Sequence, residues 1–181
     1  MDLQRIFSVV DVETTGLSPE RDRVTEVAIV RVQGGQITHS YSSLINPERP
    51  IPPFIQQMTG ITDAMVGKAP KFAEILPSIA SNLAGTVFVA HNVRFDIGFL
   101  AAEFARAQSA FPPLERIDTV ALARSELKGL SNYRLETLCG HLGLAVGGHR
   151  ALGDATVTAQ LLLRLLGASP QIAPAQLTRP R

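Results

Sequence analysis

Phe7-Ser-Val-Val-Asp11-Val-Glu13 is a short run of strand formers that turns acidic at its end, and it restricts the folds open to this chain more than any other segment. Residues two apart on a strand share a face, so Asp11 and Glu13 project the same way. The apolar residues before them mark a central strand rather than a loose edge. Two carboxylates side by side repel, and one is driven toward protonation unless a cation sits between them. A solvated strand end followed by the Thr14-Thr15-Gly16 turn is the structural alternative for the pair alone.

The rest of the chain supplies a sheet around this strand. Val24–Val32 is rich in β-branched residues, Gly34-Gly35 follows, and Gln36–Ile45 reads as another strand, which gives a hairpin and an antiparallel meander. Asn46 to Pro53 is loop, and Phe54–Met58 reads as a short helix ending at Gly60. Phe72, Ile75, Leu76, Ile79 and Leu83 recur at helical spacing, with Pro77 as a candidate kink. Thr86–Ala90 is a buried-type strand, and a helix begins near Asn92, a candidate N-cap. Ile117–Thr119 closes the strands, and Val120–Leu127, Arg134–Leu142 and Ala151–Leu166 read as helices. Three strands, then alternating helix and strand, then helices, imply an α/β or α+β fold with a mixed sheet.

Composition bounds the rest. A length of 181 residues suits one domain, expected over residues 1–167 with a flexible proline-containing tail over 168–181. The formal charge of +1 argues against extensive wrapping of a duplex and leaves room for a local grip on a few nucleotides. The single cysteine, Cys139, excludes an intrachain disulfide, and no segment reads as a signal peptide or membrane span. The expectation is a cytoplasmic protein without membrane association.

Two further acidic positions join the first pair. Asp96, in His91-Asn92-Val-Arg-Phe95-Asp96, falls in the first turn of a helix after a buried strand, where an acid also complements the helix dipole. Asp154 follows His149 in His149-Arg-Ala-Leu-Gly-Asp154, and Gly147-Gly148 reads as a mobile approach to that helix. Capped helices with a surface histidine would account for each alone. Together, four carboxylates and a histidine at the ends of core elements suit magnesium or manganese, which prefer carboxylates and water. No zinc spacing of Cys and His is present. A histidine can deprotonate a water, and the set matches two-metal phosphodiester hydrolysis, in which the ions lie about 3.5–4 Å apart.

These three segments resemble, in order and spacing, the three motifs of the DEDDh superfamily of 3′→5′ exonucleases, including the epsilon subunit of bacterial DNA polymerase III. The resemblance covers residues 5 to 167 and implies a ribonuclease H-like α/β fold with a five-stranded mixed sheet flanked by helices. It also implies two divalent ions, Mg²⁺ or Mn²⁺. Asp11, Glu13 and Asp154 would hold the first, Asp11 would bridge to the second with support from Asp96, and His149 would be the general base. Thr14, Thr15 and Gly16 would lie along the terminal nucleotide, with Thr59, Asn92 and Phe95 also at the substrate. The polymerase subunits commonly carry a histidine at the position of Thr59, and the Thr59-Gly60-Ile61-Thr62 form is similar to other bacterial exonuclease domains.

The implied substrate is the 3′ end of a single strand, DNA favoured, with a polymerase or repair complex as partner. An exoribonuclease shares the same metal chemistry and differs in how it reads the 2′ position. A binding module that had lost catalysis would be expected to have lost one of the acids, and all four are present together with the histidine.

Overall fold

The computed structural model describes residues 4–167 and 171–172. Its strands are β1 (Phe7–Thr14), β2 (Val24–Gln33), β3 (Gln36–Leu44), β4 (Val87–Ala90) and β5 (Arg116–Asp118). They form a mixed sheet in the order β5-β4-β1-β2-β3, extended by the two-residue β6 (Gln171–Ile172) alongside β3. The ribonuclease H-like five-stranded sheet is thus present. Apart from β6, the tail expected over 168–181 lies outside the described residues.

β1 is central and pairs antiparallel with β2 and parallel with β4. The β2–β3 hairpin turns at Gly34 and Gly35, whose φ of 61° and 77° belong to the left-handed region that two-residue hairpin turns require. The parallel ladder with β4 covers only Phe7 to Val9. Asp11 and Glu13 therefore run past β4 while β2 still supports them, Asp11 opposite Ala28 and Glu13 opposite Glu26.

The helices are α1 (Pro53–Thr59), α2 (Asp63–Val66), α3 (Phe72–Leu83), α4 (Val93–Arg106), α5 (Thr119–Glu126), α6 (Leu135–Leu142) and α7 (Ala151–Leu165). The sequence pattern did not resolve α2, a four-residue helix whose N-cap Thr62 accepts from the Met65 N–H. α3 runs through Pro77 without a break. Asn92 stands at the N-cap position of α4, but it does so at φ 74° and makes no side-chain capping bond, contrary to the expected cap. Its own N–H donates to Asp118 Oδ1 at 3.2 Å, so the residue serves as a left-handed turn between β4 and α4, a conformation asparagine tolerates.

The period of two along β1 sorts its side chains. Val10 and Val12 face a core built with Phe72, Ile79 and Leu83 of α3 and Phe99, Leu100 and Phe104 of α4. Phe7 and Val9 face the other way, onto Ala151, Ala155, Ala159 and Leu162 of α7. The alanines recur every fourth residue, so α7 lays a smooth stripe on the sheet and approaches it closely. Asp11 and Glu13 continue the Phe7–Val9 face and so point toward the helix that carries Asp154. Among the described residues no helix is long and apolar enough to cross a membrane.

Phe104 is fully buried and meets Phe72 and Phe111 edge-on, with ring centroids 5.8 and 5.2 Å away. Phe104→Ala should cost about 3–5 kcal/mol through lost burial and the cavity left behind. Urea unfolding of the two proteins measures it, and a loss below about 1 kcal/mol would show that this core can collapse around the gap.

Candidate active site

Three of the four predicted acids meet. Oxygens of Asp11, Glu13 and Asp154 all lie within 4.8 Å of one another, each side chain half-buried. The fourth, Asp96, is buried at the start of α4, where its Oδ1 accepts from the Val12 N–H at 3.2 Å. Its charge raises the Asp11 pKa.

Crowding and burial push all four carboxyls the same way. Asp11 is held well above the usual range, first by loss of solvent and then by Asp96, Glu13 and Asp154. Burial, with Asp154 and Glu26, lifts Glu13 to about 7, against an opposing pull from Arg150. Asp154 rises chiefly through burial, with His149 acting in the other direction. Asp96 rises through burial, although its own N–H and that of Val12 favour its charged form. A site that strains toward protonation while offering only oxygen donors fits a hard divalent cation, whose charge removes the repulsion.

Two devices that sequence reasoning missed hold Asp154 against this repulsion. Glu26, 5% exposed, accepts from Arg150 Nε at 3.0 Å, from Arg150 Nη2 at 2.7 Å and from the Ala151 N–H at 3.0 Å. It thereby fixes the first turn of α7 to the strand position opposite Glu13. The signal was an acid inside the apolar run Val24–Val32, because a charge within a buried strand requires a partner. The second device is contact between glycines. A Cβ on Gly153 would fall on the Gly147 carbonyl, and one on Gly147 would meet the Asp154 N at 2.6 Å. The approach at Gly147, expected to be mobile, is packed on α7.

His149 follows at φ 56°, a left-handed conformation, and its ring is more than half exposed. Nε2 lies 3.5 Å from Glu136 Oε1. With Asp11, Asp154, His91, Glu136 and Arg134 it lines a cleft of about 270 Å³. His91 is structural. Its Nε2 lies 3.0 Å from the Tyr133 carbonyl and its Nδ1 2.9 Å from Thr119 Oγ1, so Nε2 carries the proton and Nδ1 accepts. Burial lowers its pKa, in keeping with a neutral ring.

The remaining predicted residues build walls. Thr14 Oγ1 donates to the Gly16 carbonyl at 2.6 Å, and Thr15 Oγ1 accepts from the Arg23 N–H at 3.0 Å. These hydroxyls shape the turn after β1. Thr59 is buried, with Oγ1 bonded to the Ile55 carbonyl and the Ile61 N–H, which closes α1. Phe95 packs on Phe99 with centroids 4.9 Å apart, and Asn92 is exposed.

Residues 8–162 match the model of the exonuclease family. The chain belongs to that family. It is of the DEDDh type of 3′→5′ exonuclease, related to the epsilon-subunit and exonuclease X members. It is 38% identical over 163 residues to the DNA polymerase III subunit epsilon of Treponema pallidum, covering 88% of itself and 76% of that relative. It is 42% identical over 168 residues to the 3′-5′ exonuclease DinG of Bacillus subtilis, covering 92% of itself and only 18% of that protein. A solved structure of exonuclease X with 5′ overhanging duplex DNA is 31% identical, with a TM-score of 0.74 over 90% of this chain and 92% of that one.

The raised Glu13 pKa makes stability depend on pH and cation together. Without a cation the folded protein keeps the Glu13 proton up to about pH 7, whereas the unfolded chain releases it near the ordinary 4.5. The stabilising proton is therefore lost as pH rises through 7. Added Mg²⁺ or Mn²⁺ should raise the melting temperature more at about pH 8 than at about pH 5.5. Melting curves in chelator and in metal at both pH values test this, and equal gains would show that these acids do not form the cation site.

Proposed function

We propose that this chain is a metal-dependent 3′→5′ exonuclease that removes nucleoside 5′-monophosphates from the 3′ end of single-stranded DNA. The observation that carries the reading is the convergence of Asp11, Glu13 and Asp154 within 4.8 Å, in a member of the exonuclease family. The short strand-end site and the near-neutral net charge suit a grip on a few nucleotides rather than a long duplex track.

Asp11, Glu13 and Asp154 would hold one divalent ion, and Asp11 with Asp96 a second, Mg²⁺ or Mn²⁺. When bound, the ions supply Lewis-acid stabilisation for the charge that develops on the phosphate. The protein's own groups do the rest. His149, on the rim of the same cleft, accepts a proton from the attacking water. Its exposure lets the ring turn from Glu136 toward the carboxylates. The turn Thr14-Thr15-Gly16, braced by its own hydroxyl bonds, lies along the terminal nucleotide. Asn92 and Phe95 shape that pocket, and Thr59 holds the end of α1 beside it.

End-labelled oligonucleotides test the activity. Release of 5′-mononucleotides from a free 3′ end is expected, faster from single strands than from blunt duplex, absent in chelator and restored by Mg²⁺ or Mn²⁺. Degradation from the 5′ end, or unchanged turnover in chelator, would overturn the reading. Faster cleavage of a matched RNA would reassign the substrate to RNA ends.

The histidine and the acids should separate. His149→Ala is expected to slow single-turnover cleavage by about 10²–10⁴-fold and to bind single-stranded DNA in calcium with near wild-type affinity. Asp11→Ala or Asp154→Ala should leave almost no cleavage. A His149→Ala protein with the wild-type rate would show that another group takes the proton.

A further inference from the structure

A wider cleft, of about 710 Å³, opens beside the catalytic one and shares His91, Arg134 and Leu135 with it. Three arginines line it from three different elements: Arg94 in α4, Arg124 in α5 and Arg134 at the N-cap of α6. Convergence of like charge from separate elements is unfavourable unless an anion or water meets it.

The contrast with other arginines sharpens this. Arg5 pairs with Glu115, Arg23 and Arg106 with Glu103, and Arg150 with Glu26. Arg31 donates to the Asn82 carbonyl at 3.2 Å. Among the described residues, no carboxylate pairs with the side chains of Arg94, Arg124 or Arg134. Arg124 instead lies over the Tyr133 ring, 5.7 Å from its centroid. That ring is fixed at both ends, because its hydroxyl donates to the Leu127 carbonyl at 2.8 Å and its carbonyl meets His91 Nε2 at 3.0 Å. The one carboxylate lining the cleft, Asp118, is engaged by the N–H groups of Asn92 and Val120. Planar guanidinium groups without carboxylate partners match phosphate oxygens in geometry and charge.

We infer that this cleft binds the phosphates of the substrate strand immediately upstream of the scissile bond. The inference rests on the exonuclease reading above. The scissile phosphate lies at the carboxylates, and the turn Thr14–Gly16, which lines neither cleft, is left for the terminal nucleoside. The strand then leaves through the shared wall at Arg134, where the next phosphates meet Arg134, Arg124 and Arg94. Three local contacts give grip on a short single strand without a strongly basic protein.

The test is binding of oligothymidylates of two to ten nucleotides in calcium, at several salt concentrations, for the wild type and for Arg94→Gln/Arg124→Gln/Arg134→Gln. All three positions are exposed, so the fold should hold, and circular dichroism checks it. Arg116→Gln/Arg164→Gln, which removes exposed charge outside both clefts, is the control. Wild type and control should gain at least tenfold in affinity with length, and the triple variant should lose most of that gain. Its dependence of log K on log salt should be shallower by about 2, since each phosphate contact on a single strand contributes about 0.7. A folded triple variant with the wild-type length gain and salt slope would overturn the inference. So would an effect confined to blunt duplex, or an equal loss in the control. Wild-type protein that neither binds nor cleaves single strands in calcium or magnesium would instead sink the exonuclease reading, and this inference with it.

Discussion

Everything around the site answers one constraint: Asp11, Glu13 and Asp154 must stay together although they repel. The cost is visible in their raised pKa values, with desolvation first in all three and, for Asp11 and Glu13, the charge of neighbouring carboxylates next. A loose loop would let such groups drift apart. Here two of them share one face of the central strand, backed by β2, and the third sits on a helix laid on that face through Ala151, Ala155 and Ala159. The small side chains set how near the helix comes, and so they set how near Asp154 comes to Glu13.

The Glu26–Arg150 pair fixes the remaining freedom of α7. Glu26 stands directly across from Glu13, where a second acid would ordinarily worsen the repulsion. Arg150 lies against it and draws the Glu13 pKa down, so one guanidinium both screens the strand pair and anchors the helix start. The Ala151 N–H adds a bond to an otherwise unsatisfied donor of the first turn. The pair is buried on its acid side, and removing either partner would leave a charge without compensation, which is strongly unfavourable. Gly147 against Gly153 closes the other side of the turn.

The sequence made the sheet and the acids legible for the same reason: both depend on local pattern. The alternation of Phe7, Val9, Asp11 and Glu13 and the Gly34-Gly35 turn are read from neighbours. Glu26 and Arg150 stand at distant positions in the chain, and their pairing follows only from strand register and helix docking. Asn92 shows the limit of local reasoning in another way. Its type suited a helix cap, yet the structure uses its tolerance of positive φ to reverse the chain between β4 and α4. Pro77 does not end α3, because packing of Phe72, Ile79 and Leu83 carries the helix through it.

Charge placement links this architecture to how the protein meets a polyanion. A formal charge of +1 gives little long-range attraction. The arginines that brace the fold are consumed by Glu26, Glu103 and Glu115 and contribute almost no field at a distance. Next to the candidate active site the positive charge is local: three guanidinium groups line a cleft that adjoins one lined by Asp11, Glu136 and Asp154. Opposite charge on adjoining walls gives the site a direction. A phosphate approaching the acids without their cations is repelled, whereas one approaching the arginines is not. On the proposed reading, a strand would be gripped first where no bond is to be broken, and cation loading would make the neighbouring wall accept the next phosphate. The same local arrangement that keeps the protein near neutrality would thus make binding of the strand and readiness for hydrolysis separable events.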